Sequence, residues 1–301
     1  MNRRYWLVFA ITSCLLYTGC ITPSAVDDLA KASTKAAGMF PSVASIPYDT
    51  CVMNEKNRQL GSVTTFDGTF AFNQTAIDAA CKGASDTMQR LEKTYAVLTA
   101  YITALDKLAG GNVPTYDTNI KGLVATIPGL NSTQQTAVTS LSSLIADLVD
   151  KGYRKRQASK AIEQAQPWVH ELCGMLADQL TPYIALYISN QRDSLRGLYR
   201  DISAFRVEGS VQHTSPVLVA KDYIQDRTQI DNVQAAAEAF QKIIGSIGEG
   251  HTSLYNNRNK LWDKKTIQAL FQPVANIEQQ SAAVEKAFTT TSGTSAKKVS
   301  Q

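Results

Sequence analysis

Nine apolar or small residues, Ile77, Cys81, Ala84, Met88, Leu91, Tyr95, Leu98, Ile102 and Leu105, follow one another at alternating spacings of four and three. A repeat of 3.5 residues places all nine on one seam of a helix. Asn73 supplies an N-cap ahead of the seam and Gly110-Gly111 a stop behind it. Such a helix is about 50 Å long. Its seam cannot stay dry alone, so the chain must lay other long helices against it.

Those helices are legible downstream. Ser132-Thr-Gln-Gln135 reads as a capping box that opens a helix through Val138, Leu141, Ile145 and Leu148. The pattern resumes from Trp168 as Val169, Cys173, Leu176, Leu180, Tyr183 and Tyr187, then Leu195, Leu198, Ile202 and Phe205, with Pro167 and Pro182 as expected breaks or kinks. Ser215-Pro216 opens a helix carrying Ile230, Val233, Ala237, Phe240, Ile244 and Ile247, which Gly248-Glu-Gly250 should stop. A last helix holds Leu254, Leu261, Ile267, Leu270, Val274, Ile277, Val284 and Phe288, with Pro273 as a further kink. Thr289 to Gln301 carries no apolar repeat and reads as a disordered tail. Short connections favour antiparallel neighbours. The expected fold is therefore all-α, an elongated antiparallel bundle of long kinked helices over residues 61–288. A small β-hairpin at 63–72 is the one exception, from Asp67-Gly68 between Val63-Thr-Thr-Phe66 and Thr69-Phe-Ala-Phe72.

The first residues speak to location. Arg3 and Arg4 precede a mostly apolar run from Tyr5 to Tyr17, and small residues Thr18-Gly19 precede Cys20. That order is a secretory signal, and the apolar run is short for a spanning helix. The stretch resembles the signal peptide of bacterial lipoproteins, although Tyr17 stands where those proteins usually have an aliphatic residue. The resemblance implies cleavage after Gly19, acylation of Cys20, and a membrane as partner through the attached lipid. Ile21, in place of an aspartate, implies the periplasmic face of the outer membrane. Residues 20–60 then read as a lipidated tether with weak helices, interrupted by Pro41 and Pro47.

Export changes what the cysteines can do. Cys51, Cys81 and Cys173 remain in a compartment that permits disulfides, and an odd number leaves one thiol over. Cys51 with Cys81 is the favoured pair, because it ties the irregular N-terminal stretch to a long helix. Cys81 with Cys173 is an alternative, as are three reduced, buried thiols.

Chemistry is hard to find. Cleavage removes two arginines and no acid, leaving 28 cationic against 26 acidic side chains, a charge of +2 that argues against a nucleic-acid partner. His170-Glu171-Leu172-Cys173 begins like a zinc-protease helix, but Gly174 stands where the second histidine must be, so no metal is expected. The chain has no Gly-x-Ser-x-Gly elbow, Walker loop or dinucleotide fingerprint, and neither catalytic residues nor a cofactor are expected.

Two stretches remain as contact candidates. One is the basic run between Lys151 and Lys160, with Lys151, Arg154, Lys155 and Arg156 as candidate contacts to anionic headgroups or an acidic partner. The other is the apolar connection 120–130, whose Leu123, Val124, Ile127 and Leu130 could enter a membrane or a partner's groove, or fold back on the bundle. The leading expectation is a lipid-anchored helical scaffold of the cell envelope with a protein partner and no catalysis. The alternative is a membrane-active helical protein that inserts the 120–130 tip.

Overall fold

The computed structural model describes residues 25–62, 70–109, 127–150, 155–204 and 216–296. Nine α-helices account for most of them: α1 (Ala25–Ala37), α2 (Phe40–Ala44), α3 (Ile46–Gly61), α4 (Gln74–Ala80), α5 (Lys82–Ala109), α6 (Ser132–Asp150), α7 (Lys155–Ala204), α8 (Pro216–Asn256) and α9 (Lys264–Ala296). The protein is an all-α bundle, with no strand among the described residues. Residues 63–69 of the expected hairpin lie outside them, and Phe70 to Phe72 are not strand.

Helix α5 is the axis of the packing. Every residue of the 77–105 seam is buried except Met88, which is half-buried. A second stripe at seven-residue spacing, Thr87, Thr94, Tyr101 and Leu108, is buried too, as are Val97 and Ala104. One seam would suit a helix with partners on one side. Two make α5 a central helix, and it packs against α1, α2, α3, α6 and α7.

The N-terminal stretch is part of that core rather than a tether. Val26, Leu29, Ala30 and Ala36 are buried against the bundle, and Phe40 stacks on Tyr95 with ring centroids 4.1 Å apart. One apolar cluster runs from Val26 to Ala287, across residue 60. The helices break just before Pro41 and Pro47, as expected. These prolines sit in the first turns of α2 and α3, where a missing N–H costs nothing.

Further corrections concern helix ends and direction. Gly248 and Gly250 do not stop α8, which continues to Asn256 and takes Leu254 with it. An added Cβ on Gly250 would lie 2.7 Å from Leu29 Cδ1, and one on Gly248 would lie 3.5 Å from Cys173 Cβ. Gly250 lets α1 approach α8 closely, whereas a Cβ at Gly248 would make only an ordinary contact. Helix α7 runs unbroken through Pro167 and Pro182, and α9 runs through Pro273 to Ala296, past the expected start of the tail at Thr289.

Helix α6 is not antiparallel to α5. The chain leaves α5 at Ala109, yet Gly129 meets the Arg90 guanidinium, about 28 Å back along the helix. Ser132 to Ala137 then face Pro167, Trp168 and Glu171 of α7. Helix α7 is itself antiparallel to α5, as contacts of Gln166 and Cys173 near Tyr101 and Tyr95 require. Since α7 opens soon after α6 closes, α6 climbs beside α5 in the same direction. Helices α5, α6 and α8 therefore finish at one end, where α7 and α9 begin. Helix α1 also starts there, because Leu29 meets Gly250 while Phe40 meets Phe240 further along α8. We call this end proximal and the opposite one distal.

Candidate functional site

The apolar connection re-enters the described residues at a tight turn. Pro128 and Gly129 occupy its centre, Leu130 N–H donates to the Ile127 carbonyl at 3.5 Å, and Gly129 takes a φ of 82°, which favours glycine. The capping box that follows is one residue earlier than the sequence suggested. Asn131 Oδ1 accepts from Gln134 N–H at 2.9 Å, and Gln134 Oε1 accepts from Asn131 N–H at 3.1 Å. Gln135 turns back instead, accepting from Ile127 N–H at 3.4 Å. Ile127 is 1% exposed, and Leu130 is half-buried against the core. Leu123 and Val124 lie outside the described residues, as do Cys20, Lys151 and Arg154. Lys155 and Arg156 open α7 at the proximal end.

A disulfide joins Cys51 of α3 to Cys81, with Cα atoms 5.7 Å apart, and Cys173 is a free, buried thiol. Cys81 is the turn between α4 and α5, so the bond secures the distal corner where the long helix begins. Gln59 at the end of α3 also holds Asn73, which caps α4 by accepting from Ala76 N–H at 3.0 Å. Beyond this corner Phe70 and Phe72 meet edge-on at 5.1 Å, with the Lys56 ammonium 5.5 Å from the Phe72 ring.

Sequence reasoning missed a buried histidine. His251 follows the glycines expected to stop the helix, but it lies within α8 and is 2% exposed. Tyr101 O–H reaches His251 Nε2 at 2.9 Å, and His251 Nδ1 reaches Gln166 Oε1 at 2.8 Å. Gln166 Nε2 donates to Thr252 Oγ1 at 3.3 Å, and that hydroxyl donates to the Gly248 carbonyl at 2.9 Å. With the ring proton on Nδ1 every member is satisfied. Burial lowers the His251 pKa to about 3, so the imidazole is neutral. The chain cross-links α5, α7 and α8 and sets their register, which is structural work. The only sequence signal was the position of His251 one turn before buried Leu254, which becomes readable once α8 is known to continue.

Nothing else among the described residues converges into a reactive centre. Burial pushes the Cys173 thiol up to about 12, far from a reactive thiolate. His170 is exposed one turn from Cys173, and no three of His, Cys, Asp and Glu gather to hold a metal ion among the described residues. No helix there is long and apolar enough to cross a membrane.

Instead, the two ends differ in surface chemistry. Among the described residues, seven of the eight large exposed apolar residues lie toward the distal end: Met53 and Leu60 on α3, Phe70 and Phe72 beyond it, Leu186 on α7, and Val217 and Ile224 on α8. Thr50 to Gln191 and Tyr199 to Asp226 contacts place these elements together there. At the proximal end Lys160, Lys260, Lys264 and Lys265 are exposed.

Comparison of the chain with protein-family models, with curated proteins and with solved structures finds no match.

Proposed function

We propose that this chain is a lipid-anchored helical scaffold of a bacterial envelope, attached through Cys20 at the periplasmic face of the outer membrane, that offers its distal end to a protein partner. The observation that carries the reading is the polarity of the bundle. The core begins at Val26, close after Cys20, while the large exposed apolar side chains of the described residues, Phe271 apart, lie toward the other end. An anchored bundle built this way stands away from the bilayer and presents an apolar surface at a distance from it. The Tyr101–His251–Gln166–Thr252 hydrogen bonds hold α5, α7 and α8 together, which suits a scaffold. Insertion of the 120–130 segment into a bilayer is the weaker reading, because Ile127 is committed to the core.

The test is the anchor. The mature protein is expected to carry acyl groups on its N-terminal cysteine and to fractionate with outer membranes. Cys20→Ser should leave it uncleaved or release it to the soluble fraction. A variant that migrates and fractionates like the parent would refute the reading.

A further inference from the structure

The proximal end carries its own chemistry. Lys160 comes from the second turn of α7, Lys260 from the short 3-10 turn Arg258–Lys260, and Lys264 and Lys265 from the start of α9. The α7 segment is far from the other two in sequence, yet it is tied to them in space. Arg258 reaches Glu163 at 3.3 Å, and Ser159 Oγ reaches Asn259 Oδ1 at 3.4 Å. All four lysines are exposed. Acids also lie at this end, some of them engaged or recessed. Glu163 is exposed but held by Arg258, Asp27 pairs with Lys31 at 2.8 Å, Asp28 and Asp106 are half-buried, and Asp147, Glu249 and Asp263 are exposed.

We propose that this end is a docking surface for anionic phospholipid headgroups, with Lys160, Lys260, Lys264 and Lys265 as its contacts, so that the bundle stands end-on at the bilayer. The proposal rests on Cys20 carrying the lipid. Only residues 21–24 separate that cysteine from the start of α1, a span of about 14 Å when fully extended. The proximal end is thus held close to the headgroups, where their potential decays over about 8 Å at physiological ionic strength. The distal end is beyond its reach, since α7 alone is about 75 Å long. A tether this short makes charge complementarity count: the same four lysines on a long linker would seldom meet the surface.

Amine labelling of the full lipidated protein in vesicles tests this. In proteoliposomes containing phosphatidylglycerol at low salt, Lys160, Lys260, Lys264 and Lys265 should label several-fold more slowly than in phosphatidylcholine. Lys56 and Lys82 at the distal corner should label equally in both, and added salt should abolish the protection. Replacing the four lysines by glutamate should remove the lipid dependence while the thermal transition and the acyl mass stay unchanged. If the N-terminal peptide carries no acyl mass, the anchor reading fails and this proposal with it. If it is acylated but the four lysines label alike in both lipids, the docking surface alone is wrong. Equal protection of Lys56 and Lys82 would mean that the bundle lies flat, which also overturns the end-on arrangement.

Discussion

His251 shows how a single side chain can be bound to the fold by proton linkage. Its ordinary value is 6.5 and burial depresses it to about 3, so below pH 6.5 the unfolded chain takes up a proton that the folded chain refuses. Its contribution to stability is therefore complete above about pH 6.5 and is lost as pH falls toward 3, at a slope approaching 1.4 kcal/mol per pH unit. Half-buried Asp28 and Asp106, whose values burial raises, act in the opposite sense, so the comparison must be with a variant. His251→Gln should be less stable than the parent at pH 7, because the Tyr101 hydroxyl loses its acceptor, yet its urea midpoint should fall less between pH 7 and pH 4. Parallel pH profiles for the two proteins would show that the imidazole is not buried neutral.

Helix α8 carries glycines of two kinds, and they separate propensity from packing. Gly245 is exposed, with nothing within 4 Å of an added Cβ, whereas a Cβ on Gly250 would press into Leu29. Gly245→Ala should stabilise by about 1 kcal/mol through helix propensity. Gly250→Ala gains the same propensity but overpacks the α1–α8 contact, which typically costs about 1–3 kcal/mol, so the net change should be destabilising. Chemical denaturation of the two variants checks both signs. At the distal corner, the Cys51–Cys81 bond closes a loop of sequence separation 30. Chain-entropy reasoning assigns such a loop about 3–4 kcal/mol, so reduction should lower the unfolding free energy by that order. An unchanged urea midpoint under reductant would mean that α3 and α4 are not coupled to the global transition.

For the molecule as a whole, the decisive feature is that the N-terminal helices belong to the same core as everything after them. Phe40 is the clearest test, being 2% exposed and seated between Tyr95 and Phe240 at 4.1 and 4.9 Å. Phe40→Ala should cost about 3–5 kcal/mol and shift one cooperative transition. A tether independent of the bundle would leave the melting temperature where it was.

What the chain declares by itself is periodic. The 3.5-residue seam, the Asn73 cap and the all-α class can be read because helix geometry repeats over a few residues, and local spacing records it. The pairing of Cys51 with Cys81 was legible as one choice among several, since spacing limits a disulfide without selecting it. Direction and enclosure are different in kind. Whether α6 runs with or against α5 depends on Gly129 meeting Arg90 across a long connection. Whether Gly250 ends α8 or admits Leu29 depends on a helix more than two hundred residues away in sequence. Glycine looks the same to a sequence in either role, because a missing Cβ both loosens a backbone and makes room for a neighbour. Only the packed structure decides which of the two is used, and with it where the ends of the bundle lie and which charges and apolar side chains they present.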